Sequence, residues 1–192
     1  ESIIPQSYSN WELLAINDHS NDDTLQILKR FSALDSRITV LNNHRNGIIE
    51  ALKTGYKISK GDLITRMDAD DIMPKIKLEK LQKLLITSGK GFVASGLVKY
   101  FSEKPLGNGY IKYEQWLNGL SSRDSNYSEI YKECTIPSPC WMMWKEDFEL
   151  CGGFNSDIYP EDYDLAFRMY QNKMEPTCSK EILHLWRDSE NR

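Results

Sequence analysis

Positive charge is not in excess in this sequence. Its 24 lysines and arginines are outnumbered by 28 aspartates and glutamates, which gives a formal net charge of −4. Proteins that bind nucleic acid usually carry a basic surface, so this balance argues against that class of partner. No apolar run approaches the roughly 20 residues that a helix needs to span a bilayer, and neither a signal peptide nor an internal repeat is visible. At 192 residues the chain has the length of one globular domain.

Cysteine pairs at metal-binding spacing are also missing. None of the four cysteines belongs to a Cys-x-x-Cys pair, which argues against a structural zinc site. The chain is too long, and its cysteines are too few, for a disulfide-dense scaffold. We predict free thiols at Cys134, Cys140, Cys151 and Cys178.

Short apolar runs alternate with stretches of helical periodicity over the first hundred residues. The pattern predicts strands at residues 12–17, 38–41, 62–67 and 92–98, with helices between them, the first capped by Ser20 or Asn21. Such alternation predicts an α/β fold with a mainly parallel sheet and flanking helices. Ligands of such sheets bind beyond the carboxyl ends of the strands. We expect the strands that end at Asn17 and Met67 to share one sheet and one cleft.

The second half is less regular. Residues 107–126 are rich in glycine, serine and asparagine apart from a short helical patch at 113–117, which suggests a mobile or acceptor-shaping segment. Strands are predicted at 141–144 and 182–186, and a helix at 161–172. The tryptophans at 144 and 141 fit a core strand better than a sugar-stacking surface.

Three carboxylates crowd into four residues directly after a predicted buried strand: Asp68, Asp70 and Asp71. Such crowding is relieved by basic neighbours or by a divalent cation. Hard oxygen ligands suit Mg²⁺ or Mn²⁺, which can bridge the phosphates of a nucleotide. The alternative is a solvated turn that precedes the next helix, and the two interpretations are about equally supported.

Four further residues each have a structural and a functional interpretation. Asp18 is a turn residue or a hydrogen-bond acceptor for a nucleotide. Glu161 and Asp162 are partners of a helix dipole, or one of them is a general base. His184 lies between two leucines and is a core residue or a metal ligand.

Five segments, taken in order, resemble motifs of the family 2 glycosyltransferases, inverting enzymes with the GT-A fold. Each motif is modest alone, but their order and spacing are specific. They are SIIPQSYSNWEL at residues 2–13, INDHSND at 16–22, NG with ALKTG between 46 and 55, GDLITRMDADD at 61–71, and GGF with EDYDLAFR between 152 and 168.

The resemblance implies roles for particular residues. Asp18, Asn46 and Asp68 would bind the nucleotide. Asp68 and Asp70, with His184 near the diphosphate, would hold the metal. Asp162 would be the catalytic base, with Glu161 as the competing candidate.

The resemblance also implies the organisation and the reaction. Residues 1–192 would form a single catalytic domain, with a nucleotide-sugar-binding half at 1–100 and an acceptor-binding half at 101–192. The family's first strand is missing from this sequence. A UDP-sugar donor, a saccharide or lipid-linked acceptor of a bacterial surface polysaccharide, and Mg²⁺ or Mn²⁺ are expected. The expected location is the cytoplasm, with any membrane contact peripheral and made by regions outside this sequence.

Two other functions stay open at this point. A sugar nucleotidyltransferase also uses acids and Mg²⁺ on a similar sheet, but it needs a glycine-rich phosphate loop, which this sequence does not show. A catalytically inactive module that binds glycans or a partner protein is the second alternative, and intact Asp68, Asp70 and Asp162 argue against it.

Overall fold

The structure, a computed structural model, describes residues 1–154 and 160–188. Strands and helices alternate first, and the second half is mainly helical until its last strand. The elements in chain order are β1 (Leu13–Asn17), α1 (Thr24–Leu34), β2 (Ile38–Asn42), α2 (Ile48–Ile58), β3 (Leu63–Thr65), α3 (Lys77–Ser88), β4 (Phe92–Phe101), α4 (Asn108–Ser121), a 3₁₀ turn (Asn126–Glu129), β5 (Trp141–Trp144), α5 (Lys145–Leu150), α6 (Glu161–Gln171) and β6 (Glu175–Arg187). The predicted α/β fold with flanking helices is confirmed, whereas the division into two halves stays a prediction.

The strands of the described residues form two hydrogen-bonded sheets. β1 and β2 pair in parallel, with Leu13 opposite Ile38 and Asn17 opposite Asn42. The other sheet has the order β3-β5-β4-β6, in which β5 runs antiparallel to both neighbours and β4 runs parallel to β6. Two of the four pairings are thus parallel.

The expectation that the strands ending near Asn17 and Met67 share one sheet is wrong, because β1 and β3 belong to different sheets. The chain just before β3 is bonded to a side chain instead of to the backbone of β1. Glu12 Oε1 accepts the N–H groups of Lys60 and Gly61 at 2.5 and 3.0 Å. β3 is also shorter than predicted, because the chain after Thr65 turns away to form the acidic loop described below.

The four-stranded sheet is covered on both faces. Alternating residues of β5 point to opposite sides, so Trp141 and Met143 pack with α5 and α6 while Met142 packs with α3 and β6. Each fully buried Leu, Met or Phe contributes about 1.5–3 kcal/mol to this core. Burial of the β5 tryptophan at position 141 (2% exposed) confirms it as a core residue.

Helix α4 is much longer than the five-residue patch predicted from the sequence. Two glycines and several polar residues weaken its helical signal, but side chains of α4 bond to the backbone of β4. Asn118 accepts from the N–H of Val98 at 2.9 Å and donates to its carbonyl at 2.8 Å. Glu114 accepts the N–H of Tyr100 at 2.6 Å. Tertiary contacts therefore override local propensity here.

Strand β6 extends well before the predicted residues 182–186 and follows β4 along nearly its whole length, with register shifts on either side of Leu97. Gly96 lies at this irregularity. A Cβ atom there would be 2.7 Å from Cδ1 of Leu183, so glycine permits the close approach of the two strands.

Three smaller expectations also have outcomes. The predicted cap of α1 is wrong, because Asp23 precedes the helix and Asp22 Oδ1 accepts the N–H of Thr24 at 3.0 Å. All four cysteines are free, as predicted, and the structure shows that all four are also buried. Across residues 1–154 and 160–188, no helix is both long enough and apolar enough to cross a bilayer.

Candidate active site

The three aspartates after β3 lie in different environments. The Asp70 side chain is exposed and that of Asp68 is 23% exposed, while Asp71 is buried. Asp71 Oδ1 accepts the N–H of Arg187, and Arg187 Nε donates to the carbonyl of Asp70 at 2.7 Å. A bridge between Ile72 and Leu185 continues this contact. The loop of residues 66–71, called the acidic loop below, is thus fastened to β6.

Asp71 is also held by a buried polar network that contains His184 and Lys77. His184 Nε2 lies 2.9 Å from Asp71 Oδ2, and His184 Nδ1 lies 3.2 Å from Lys77 Nζ, which also donates to the carbonyl of Pro139. The side chains of His184 and Lys77 are fully buried. Burial lowers the pKa of His184 more than the hydrogen bond to Asp71 raises it, and burial likewise lowers the pKa of Lys77. A neutral imidazole that donates from Nε2 and accepts at Nδ1 satisfies all three groups.

This network contradicts the expectation that His184 is a metal ligand. Both of its ring nitrogens have protein partners, and its side chain has no exposed surface. A ligand to an exposed cation needs a free nitrogen that faces it. His184 therefore has the structural role, and it holds the third aspartate of the acidic loop in place.

Arg66 joins the acidic loop to the start of α6. Its Nε lies 3.1 Å from Asp68 Oδ1 and its Nη1 lies 2.8 Å from Glu161 Oε1, with only 8% of its side chain exposed. Burial works to lower the pKa of Arg66, but the charges of Asp68 and Glu161 outweigh it and the pKa is raised. Glu161 is therefore engaged in an ion pair.

Asp162 lies beside Glu161 and lines an open cleft of about 580 Å³. Its Oδ1 accepts the N–H of Tyr163 at 2.8 Å. Burial is the largest cause that raises its pKa, and the negative charge of Glu161 adds to it, while the Tyr163 N–H and Arg66 oppose the rise. A carboxylate with a raised pKa in a cleft suits a general base.

Asp18 lies at the carboxyl end of β1 and is fixed by the neighbouring strand and helix. Its Oδ1 accepts from Asn43 at 2.8 Å, and its Oδ2 accepts the N–H of Gly47 at 3.0 Å. The bond from Asn43 is the main reason that the pKa of Asp18 is lowered. Asn46, next to Gly47, is exposed. Asp18 is thus held ionised at the end of β1. It lies close to the chain segment that enters α2, which includes Asn46 and Gly47.

The structure brings most of the predicted residues into two groups. Asp68 and Glu161 meet at Arg66, with Asp162 next in sequence, while Asp18 and Asn46 lie near the start of α2. A cleft shared by Asp18 and Asp70 stays a prediction. Sequence reasoning missed Arg66, Lys77 and Asn43. Arg66 directly precedes the Met-Asp-Ala-Asp-Asp run, and a basic residue beside crowded acids was an available signal.

The two outer aspartates fit a divalent cation by their chemistry. Asp68 and Asp70 offer hard carboxylate oxygens at the surface, and Mg²⁺ sites are often built from one or two carboxylates with phosphates and waters as the other ligands. Within the described part of the chain, no group of three or more His, Cys, Asp or Glu side chains is gathered around one metal position. A cation here would depend on the nucleotide for its remaining ligands.

Comparison with known proteins identifies relatives along most of the chain. A family model described as "Glycosyl transferase family 2" matches residues 1–151. The chain is 35% identical over 127 residues to an uncharacterized glycosyltransferase of Haemophilus influenzae, a match over 64% of this chain and 39% of the relative. It is 31% identical over 176 residues to the Escherichia coli O-antigen biosynthesis glycosyltransferase WbnJ, a match over 88% of this chain and 64% of the relative.

A third relative carries a fuller description. The chain is 37% identical over 93 residues to the E. coli UDP-Glc:alpha-D-GlcNAc-diphosphoundecaprenol beta-1,3-glucosyltransferase WfgD, a match over 48% of this chain and 36% of the relative. The chain therefore spans only about a third to two thirds of the length of these curated relatives.

Solved structures share the fold at low sequence identity. The mannosyltransferase PcManGT of Pyrobaculum calidifontis, in complex with GDP-Man and Mn²⁺, is 18% identical with a TM-score of 0.74, over 96% of this chain and 50% of that one. TarS 1-349 of S. aureus, in complex with UDP-GlcNAc, is 16% identical with a TM-score of 0.70, over all of this chain and 54% of that one. With the family model matched over residues 1–151, the chain belongs to glycosyl transferase family 2.

Proposed function

We propose that the protein is an inverting glycosyltransferase that moves a sugar from a UDP-sugar to a saccharide or lipid-linked acceptor, with a divalent cation and Asp162 as general base. The observation that carries the proposal is the position of Asp162 in a cleft, next to a Glu161 that is bonded through Arg66 to the acidic loop. Family membership supports glycosyl transfer as the reaction. The relative WfgD and the TarS complex, whose descriptions name UDP-Glc and UDP-GlcNAc, support the choice of nucleotide.

Asp162 would take the proton from the attacking hydroxyl of the acceptor. Because its pKa is raised, Asp162 is a stronger base than an ordinary aspartate and is better matched to proton transfer at neutral pH. Because the sugar would be attacked in one displacement from the face opposite the nucleotide, the configuration at its anomeric carbon would invert. The start of α6 positions the carboxylate in the cleft.

Glu161 would serve as a positioning residue. Its ion pair with Arg66 removes it from competition for the acceptor proton, and its charge keeps the pKa of Asp162 high. Arg66, in turn, holds Asp68 on one side and Glu161 on the other. The base and the acidic loop would thus keep a fixed separation.

Asp68 and Asp70 would hold the cation, Mg²⁺ or Mn²⁺, and Asp18 and Asn46 would bind the nucleoside. A cation bound there supplies Lewis-acid stabilisation of the leaving diphosphate. The contacts of Asp71 with Arg187 and His184 keep the loop in one position, so the two outer carboxylates need little reorganisation. If the acceptor is lipid-linked, the protein would act at the cytoplasmic face of a membrane through peripheral contact.

The test is a screen of nucleotide sugars with the purified protein. UDP-glucose, UDP-N-acetylglucosamine and GDP-mannose are each incubated with a panel of saccharide acceptors, with Mn²⁺, with Mg²⁺ and with EDTA. Release of UDP that requires both the cation and an acceptor supports the proposal. Cation-independent binding of saccharides without release of any nucleotide would favour an inactive binding module, and synthesis of a nucleotide sugar from a sugar phosphate would favour a nucleotidyltransferase.

A further inference from the structure

Four aromatic rings that contact one another form one wall of the cleft beside Asp162. We call this wall the aromatic platform, and it consists of Tyr100, Tyr110, Tyr113 and Trp186. Asp162 and Glu133 line the same cleft, so it combines aromatic faces with carboxylates. The β5 tryptophans that the sequence offered for sugar stacking are absent from its lining.

Trp186 is fixed at this wall by its neighbours on β6 and β4. Its ring stacks on that of Tyr100, with centroids 5.2 Å apart and planes 8° from parallel, and Tyr100 is itself buried. Two nearby residues of β6, His184 and Arg187, tie this strand to the acidic loop, because both bond to Asp71. The ring therefore has a set position relative to the proposed cation site.

Tyr110 and Tyr113 come from α4 and complete the wall. Tyr110 is 42% exposed and its ring centroid lies 5.2 Å from that of Tyr100. Tyr113 donates from its hydroxyl to the carbonyl of Cys134, another residue of the cleft lining, at 3.2 Å. Since three elements hold these rings in mutual contact, the platform is formed without a ligand, which limits the ordering cost of binding.

Charge indicates which ligand this cleft suits. Asp162 and Glu133 would repel a diphosphate, whereas carboxylates accept hydrogen bonds from sugar hydroxyls. Aromatic faces suit the apolar C–H side of a pyranose, and a volume of about 580 Å³ lies within the ordinary range of small-ligand sites. These features match a neutral saccharide and disfavour the nucleotide end of the donor.

We propose that the aromatic platform is the acceptor subsite, where a pyranose of the acceptor stacks on Trp186 and Tyr110 and presents a hydroxyl to Asp162. The inference rests on the proposed function, which it deepens by naming the group that the acceptor must offer. It also assigns a role to α4, whose segment the sequence marked only as mobile or acceptor-shaping.

Steady-state kinetics of Tyr110→Ala tests the subsite, with Tyr131→Ala as the matched control, because Tyr131 is 79% exposed and is not among the cleft residues. We expect Tyr110→Ala to raise the acceptor KM about tenfold, in line with the loss of one aromatic contact, while the donor KM and the acceptor-independent hydrolysis of the donor change less than about twofold. Trp186→Phe, which keeps an aromatic face on Tyr100, should fall between Tyr110→Ala and the wild type. An unchanged acceptor KM, or a rise in the donor KM instead, would overturn the assignment.

Binding without turnover separates this inference from the proposed function. Saturation-transfer NMR with methyl β-glucopyranoside, methyl β-galactopyranoside and methyl N-acetyl-β-glucosaminide reads the subsite directly. Binding of at least one glycoside by the wild type and by Tyr131→Ala, and its loss in Tyr110→Ala, supports the subsite even if no donor is turned over. Equal signals in wild type and Tyr110→Ala, or no binding of any of the three, refute it even if transfer is observed.

Discussion

Asp162→Asn separates the chemistry of this site from its stability. The substitution keeps the size of the side chain and a hydrogen-bond acceptor for the N–H of Tyr163, but it removes the basic oxygen. Loss of a general base lowers turnover by about 10²–10⁴-fold, which is about 2.7–5.4 kcal/mol of transition-state stabilisation. Donor affinity should change little, because Asp162 is not among the proposed ligands of the cation or of the nucleotide.

Unlike turnover, the stability of the folded protein should not fall in Asp162→Asn. A folded pKa that is raised means that the ionised form of Asp162 is disfavoured by folding, so this group stabilises the protein at low pH and that contribution is lost as pH rises through the folded pKa. At neutral pH the neutral amide avoids this cost. We therefore expect Asp162→Asn to unfold at the same temperature as wild type or at a higher one.

Glu161→Gln is the matched control, and we expect it to lower stability while it keeps most of the turnover. Its carboxylate pairs with Arg66 at 2.8 Å, and the two side chains are only 11% and 8% exposed. Breaking a buried pair costs about 3–5 kcal/mol when a charge is left alone, and about 2 kcal/mol is expected here because Arg66 keeps Asp68. Turnover should fall far less than in Asp162→Asn.

The assay is turnover of a working donor and acceptor, with thermal unfolding of the same three samples. The reasoning is refuted if Asp162→Asn retains near-wild-type turnover, in which case Glu161 becomes the candidate base. It is also refuted if Asp162→Asn loses activity only through unfolding. A stable, fully active Glu161→Gln would contradict the structural role of the ion pair.

Three further predictions follow from the site and the fold. The acid limb of kcat/KM against pH should lie above the ordinary pKa of an aspartate. Glu161→Gln should shift this limb to lower pH, because it removes the negative charge that helps to raise the pKa of Asp162. A limb that does not move would contradict the assigned coupling between Glu161 and Asp162. Asp70→Asn should abolish the Mn²⁺-dependent part of UDP affinity in calorimetry while the circular dichroism spectrum is kept, and an unchanged cation dependence would remove Asp70 from the ligand set. Gly96→Ala should destabilise the protein by about 1–3 kcal/mol in urea unfolding, because the new methyl would lie 2.7 Å from Leu183 Cδ1, and an unchanged midpoint would mean that the two strands separate at no cost.

The sequence predicted the parts of this fold that local periodicity determines. β1, β2, β5 and α6 end within a residue or two of their expected limits, because each buries one apolar stripe or run. It failed where partners are distant in the chain. Hydrogen bonds between α4 and β4, accepted by Asn118 and Glu114, extend α4, and β3 pairs with β5, a strand from the second half of the chain. Neither partner can be identified from spacing alone.

The candidate site was likewise only partly predictable from the sequence. Motif order was enough to select Asp68, Asp70 and Asp162, but it could not decide between a metal ligand and a buried partner for His184. That decision depends on Lys77, which lies 107 positions away in the chain and looks like an ordinary first-turn lysine of α3. Sequence position likewise gave no reason to choose Asp71 over its neighbours as the buried member of the cluster.

The fastening of Asp71 has a consequence for how the protein responds to chelators. The buried amine and imidazole anchor the acidic loop from inside the fold, and the outer carboxylates of Asp68 and Asp70 are not needed for that anchoring. Folding would then not depend on the proposed cation. EDTA should leave a folded apo protein whose unfolding free energy is lower only by the mass-action contribution of the bound ion, about 2.7 kcal/mol at a cation concentration 100 times its Kd. Unlike domains that fold around their metal, this protein could be purified without the ion and loaded afterwards.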